Sequence, residues 1–116
     1  MHDKAIAGDL LQTVSSSDFD NVVLSASGPV AVEFMSYSCA HCRAIESSLQ
    51  QVAQMVRPQQ IFRVNVALEP VLAAHYSVHG TPTLVMFKDG AEVARVEGPP
   101  TDVTSLLRAV TMPFGE

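Results

Sequence analysis

The run Val30-Ala31-Val32-Glu33-Phe34-Met35 constrains this chain most. An almost unbroken apolar stretch of that length reads as a β-strand covered on both faces, since a half-exposed strand would alternate. The cover has to come from elements on either side of it. From residue 39 to 57 the apolar positions Ile45, Leu49, Val52 and Val56 are spaced four, three and four, one face of a helix that Pro58 stops.

The rest of the chain falls into similar pieces. Residues 10–14 make a short first strand, and Ser17, three before Asp20, caps a short helix carrying Phe19, Val22 and Val23. Ser27-Gly28-Pro29 breaks it. In 61–66, Phe62, Val64 and Val66 alternate with Arg63 and Asn65 as a strand, and Pro70 opens a helix reaching about Tyr76. Gly80-Thr81-Pro82 is a turn before a strand at 83–87. Lys88-Asp89-Gly90 is a hairpin turn, because Asp-Gly tolerates positive φ, and 91–96 returns antiparallel. After Gly98-Pro99-Pro100, Thr101 caps a last helix with Val103, Leu106, Leu107 and Val110 inward. The order βαβαβαββα implies an α/β fold, a mixed central sheet with helices on both faces. Residues 1–9 read as an N-terminal tail and 10–116 as a single domain, the size one core allows.

Composition excludes several functions. Twelve acids against seven scattered bases give a net charge of −5, with no basic stripe for nucleic acid. No apolar run approaches a membrane span of about 20 residues. The first ten residues lack the apolar middle of a secretory signal, so the expected location is cytoplasmic, or periplasmic if a signal was removed. The expected state is a monomer, without nucleic-acid or membrane partners.

Only two cysteines are present, too few for a disulfide scaffold, and both lie in Cys39-Ala40-His41-Cys42. Placed between a strand and a long helix, Cys39 meets the unpaired N–H groups and dipole of a helix N-terminus, which favour a thiolate. Cys42, one turn deeper, is the resolving thiol, and His41 places an imidazole beside both sulfurs. By spacing alone the pair is open to redox work, half of a metal site, or two buried thiols; its position favours redox work.

With Val32-Glu33-Phe34 before the cysteines, the Cys39–Cys42 pair, Gly80-Thr81-Pro82-Thr83, Lys88-Asp89-Gly90 and Gly98 in this order, the chain resembles the thioredoxin superfamily from about Leu10 to Val110. The resemblance implies a thioredoxin-like fold and a protein-disulfide oxidoreductase exchanging disulfides with protein substrates. Cys39 is then the nucleophile of a redox-active disulfide with Cys42. It also implies a cis bond before Pro82, opposite the cysteines, and Thr81 backbone groups that bind an extended substrate strand. Glu33, six residues before Cys39, matches a buried acid able to take the Cys42 proton. Arg63 aligns with a basic neighbour of that acid, to be set against a plain solvated strand charge.

The chain departs from the familiar pattern in having Ser38 before the first cysteine, Ala40-His41 between the pair, and no tryptophan. His41 is similar to the oxidising and isomerising branches, the protein disulfide isomerase and DsbA types. Tyr37 and Met35 are expected to supply part of the missing aromatic surface. No organic cofactor is implied, and a reductase or oxidant partner must recycle the pair. His75 and His79, four apart, would complete a Cys₂His₂ zinc set with the cysteines, but the sequence gap far exceeds a compact finger, and no metal is expected. The alternative function is a thioredoxin-fold binding or assembly module without turnover, holding a metal on its thiols.

Overall fold

The computed structural model describes residues 8–115. The expected N-terminal tail therefore lies outside the described residues except for Gly8 and Asp9. In chain order the elements are β1 (Gln12–Thr13), α1 (Ser16–Phe19) running into a π turn (Asp20–Leu24), β2 (Pro29–Met35), α2 (Ala40–Met55), β3 (Gln60–Asn65) and α3 (Pro70–His75). Then come β4 (Thr83–Lys88), β5 (Ala91–Glu97) and α4 (Val103–Thr111), which tightens into a 3-10 turn (Met112–Phe114). The strands form one sheet in the order β1-β3-β2-β4-β5. β1 and β2 run parallel to β3, whereas β4 is antiparallel to both β2 and β5.

The central place of β2 explains its composition. Val30, Val32 and Phe34 project into one core with Val14, Phe19, Val23, Phe62, Val64, Val85 and Phe87. Ala31 faces the opposite core, built from Ile45, Leu49 and Val52 of α2, Leu84 and Met86 of β4, and Leu106 and Val110 of α4. Since strand residues alternate between faces, Glu33 shares the Ala31 side and lies beneath α2. β3 is interior too, so Arg63 is fully buried, and the solvated strand charge that its sequence pattern allowed is not found. In register it is the partner of Glu33.

The ends of several elements differ from the sequence expectation for local reasons. Ladder pairing in β1 is confined to Gln12 and Thr13, because the Leu10 and Leu11 amides donate instead to the side chains of Gln50 and Asp9. The first helix is preceded by Ser15, not Ser17; Ser15 holds extended dihedrals while Ser17 is already inside the turn. The last helix is capped by Asp102 rather than Thr101, its carboxylate accepting the Ser105 N–H at 2.9 Å. In the β4–β5 hairpin, Asp89 and Gly90 take φ of 51° and 85°, the left-handed pair a tight turn needs.

Candidate active site

The strand β2 ends in a short loop, and the next helix begins at the cysteines. Cys39 is the N-cap of α2, with extended dihedrals, and its Sγ accepts the Cys42 N–H at 3.1 Å. A sulfur thus occupies the place of the usual capping oxygen, facing amides that have no partner within the helix. The Cys39 thiol also donates to the Thr81 carbonyl at 3.5 Å. Cys39 is half-buried and Cys42 is buried, and both are free thiols.

Their environments push the two thiols apart. Burial raises Cys39, but hydrogen bonds with the Cys42 thiol and the Thr81 side chain and from the backbone N–H groups of Cys42 and His41 more than offset it, leaving it below the ordinary value. Cys42 is pushed up to about 12 by burial and by its hydrogen bond to Cys39. Cys39 is therefore the thiol that ionises and is reachable, while Cys42 holds its proton beneath it.

Across from the cysteines the Thr81–Pro82 peptide bond is cis, as the resemblance implied. Residues 79–83 with Glu97 and Gly98 line a groove of about 320 Å³. The Pro82 carbonyl accepts the Gly98 N–H at 2.9 Å, which ties this turn to the end of β5. His41 closes the same region from the helix side. Its ring Nε2 lies 2.7 Å from the Pro99 carbonyl. A carbonyl only accepts, so Nε2 carries a proton, and the aid His41 gives Cys39 comes from its backbone N–H.

Below the cysteines lies a buried charge cluster. Glu33 and Arg63 side chains are wholly enclosed, with Arg63 Nε 3.7 Å from Glu33 Oε1, too long for a hydrogen bond. Both Glu33 oxygens lack a hydrogen-bond partner. Burial, opposed by the Arg63 charge, raises the Glu33 carboxyl to about 8, with Glu46 and Asp9 adding to the rise. The terminal nitrogens of Arg63 are already taken: Nη1 pairs with Asp9 and Nη2 with Glu46 at 2.8 Å. Gln50 Nε2 joins those two carboxylates, at 2.7 Å from Asp9 and 2.8 Å from Glu46.

The structure thus gathers Cys39, Cys42, Thr81, Pro82 and His41 at one end of the sheet, with Glu33 and Arg63 side by side beneath α2 but not hydrogen-bonded. It separates others. Tyr37 is half-buried in the loop before Cys39, its carbonyl accepting from Arg43 Nη1 at 3.0 Å. Met35, expected to offer surface, is buried, because the last residue of β2 still lies inside the sheet. His75 packs edge-on to Tyr76 on α3, and His79 lines the groove. Among the described residues no three of His, Cys, Asp and Glu are grouped to hold a metal, so the Cys₂His₂ set does not assemble. Among the described residues, no helix is long and apolar enough to cross a membrane.

Asp9, Glu46 and Gln50 escaped the sequence reading. Cys42, Glu46 and Gln50 stand four apart on one face of α2, a signal hidden by the stronger apolar stripe beside them. Nothing local marks Asp9, which meets Arg63 across 54 residues of chain.

Comparison with known proteins gives a consistent result. The family model described as Thioredoxin matches residues 10–111. A thioredoxin of Chlamydia pneumoniae is 37% identical over 89 residues, covering 77% of this chain and 85% of that protein. Thioredoxin 1 of Synechococcus elongatus is 35% identical, covering 73% and 80%. Among solved structures, Fasciola hepatica thioredoxin superposes with a TM-score of 0.79 at 28% identity, covering 88% of this chain and 98% of that one.

Proposed function

This chain belongs to the thioredoxin family and is a thiol–disulfide oxidoreductase, and we propose the following division of roles among its residues. Cys39 thiolate attacks a disulfide of a protein substrate. One substrate sulfur leaves with the electron pair of the broken bond, and Cys39 is joined to the other in a mixed disulfide. Cys42 then gives its proton to Glu33 and attacks Cys39. The Cys39–Cys42 bond forms, the bond from Cys39 to substrate breaks, and the second substrate sulfur leaves as a thiolate. The substrate gains two electrons and the protein dithiol loses two. Run backward, the same steps oxidise a substrate dithiol.

The observation that carries this reading is the contrast between the two sulfurs: Cys39 caps α2 and is accessible, and Cys42 is enclosed behind it. Thr81 and Pro82 hold the substrate chain in the groove beside Cys39, with Tyr37 at its approach and His41 and Arg63 acting on the site from outside the reacting atoms. Glu33 is the proton acceptor because it lies on the sheet face covered by α2, the side into which Cys42 points with Ile45 and Leu49. A reductase or oxidant partner recycles the pair, and no organic cofactor takes part.

Trapping tests the roles directly. Cys42→Ser incubated with disulfide-bearing protein substrates accumulates a mixed disulfide through Cys39, seen on non-reducing gels and by mass spectrometry, while Cys39→Ser does not. Trapping through Cys42 alone, or by neither variant, overturns the assignment. The potential of the pair gives the working direction: near −270 mV it acts as a reductant of the thioredoxin kind, and near −120 mV as an oxidant.

A further inference from the structure

Among the described residues Arg63 is the one cation beside Glu33, yet it serves Glu33 poorly. Its two terminal nitrogens bind Asp9 and Glu46, and only Nε faces Glu33, at 3.7 Å. A guanidinium free of other partners would take a carboxylate in a two-pronged bond, with both oxygens satisfied. Here both oxygens of Glu33 and the Nε of Arg63 are buried without a hydrogen-bond partner. The arrangement is held from outside by Gln50, which bonds Asp9 and Glu46 at once.

We propose that Asp9 and Glu46 are positioning residues for the proton-transfer step: by occupying both ends of Arg63 they keep it from pairing with Glu33, and so leave that carboxyl free to exchange a proton with Cys42. The proposal rests on the role given to Glu33 above. The groups facing Glu33 are few. Among the described residues they are Arg63 from β3, Glu46 from α2 and Asp9 from the segment before β1, with Cys42 on the buried face of α2 that covers this side of the sheet. β4 and α4 send Leu84, Met86, Leu106 and Val110 into the same core, and Thr83, the one buried polar side chain on either element among the described residues, alternates to the other face of the sheet. The sign follows from that census. Each outer carboxylate cancels part of the Arg63 charge and repels a charge on Glu33, so neutralising either lets Arg63 favour ionised Glu33.

The test compares pH profiles of the resolving step, followed as release of substrate from a preformed Cys39 mixed disulfide, in the full chain. Glu46→Gln and Asp9→Asn keep the shape of the side chain and remove its charge, and they lie on different segments, so failure of one to fold leaves the other. In each, the midpoint assigned to Glu33 falls by about one pH unit. Glu33→Gln removes that limb altogether. Carboxyl NMR of Glu33 reads the same midpoint independently of turnover, and thermal unfolding records stability separately. A midpoint that stays put or rises in both variants, while Glu33→Gln still abolishes the limb, overturns the positioning role and spares the role of Glu33. A limb that survives in Glu33→Gln overturns both. Loss of stability with an unmoved midpoint means that Asp9 and Glu46 are structural only, and also overturns the proposal.

Discussion

A carboxyl enclosed beneath a helix binds its proton more tightly in the folded chain than in the unfolded one. For Glu33 the rise is from an ordinary 4.5 to about 8, chiefly from burial. The folded state holds this proton over the interval in which the unfolded chain has lost it, so unfolding there releases a proton. This contribution to stability is therefore full below 4.5, declines as pH rises, and is constant again above about 8. Thermal melts of the wild type should show that decline between pH 5 and 8, and Glu33→Gln should lack it. The two thiols give a second residue-scale expectation. Brief treatment with iodoacetamide near neutral pH modifies Cys39 and spares Cys42 in the native dithiol, with mass spectrometry locating the adduct. Unfolding the chain first makes both react.

At the scale of elements, the site depends on three turns meeting at one end of the sheet: the start of α2, the turn before β4, and the segment from β5 to α4. His41 fastens the first to the third through the Pro99 carbonyl. His41→Ala removes one hydrogen bond worth about 1 kcal/mol, and loosens the wall of the groove. Steady-state kinetics on a peptide disulfide should show KM rising about fivefold with a smaller change in kcat. At the other end of the sheet the β4–β5 hairpin turn packs against the π turn. A Cβ on Gly90, at φ of 85°, would stand 2.9 Å from the Leu24 carbonyl oxygen. Gly90→Ala should destabilise the fold by roughly 1–3 kcal/mol in denaturant melts, with the exchange chemistry of the surviving folded protein intact.

How much could be read from the sequence follows from the range of the forces involved. The element order and both cysteines were legible, because periodicity, prolines and a tight Cys-x-x-Cys spacing are local. So was Glu33 as a buried acid, since a charge within an apolar run has nowhere else to go. Arg63 was ambiguous: one charge in an alternating strand looks solvated until β1 is known to cover its far side. Exact caps and the true length of β1 depended on side chains competing for single amides. The His41 ring and Asp9 were hidden for a different reason, as their partners come from 58 and 54 residues away.

Over the whole molecule, β2, β3 and β4 are shielded by helices and by neighbouring strands, whereas β1 and β5 each leave an edge open. Amide hydrogen exchange followed by mass spectrometry should find β2–β4 exchanging last, through global unfolding, and β5 exchanging earlier through local opening. The sulfur that caps α2 couples this cooperative stability to electrochemistry. Reduced Cys39 accepts an amide of α2, and oxidation engages that same sulfur in a bond to Cys42, so the two forms start their helix differently. Folding and oxidation then make a closed thermodynamic cycle. The difference in unfolding free energy between dithiol and disulfide forms must equal the shift of the folded couple's potential from that of the unfolded chain, about 30 mV for each 1.4 kcal/mol. A calorimeter run on the two forms thus measures, without an electrode, how far the fold has moved this couple.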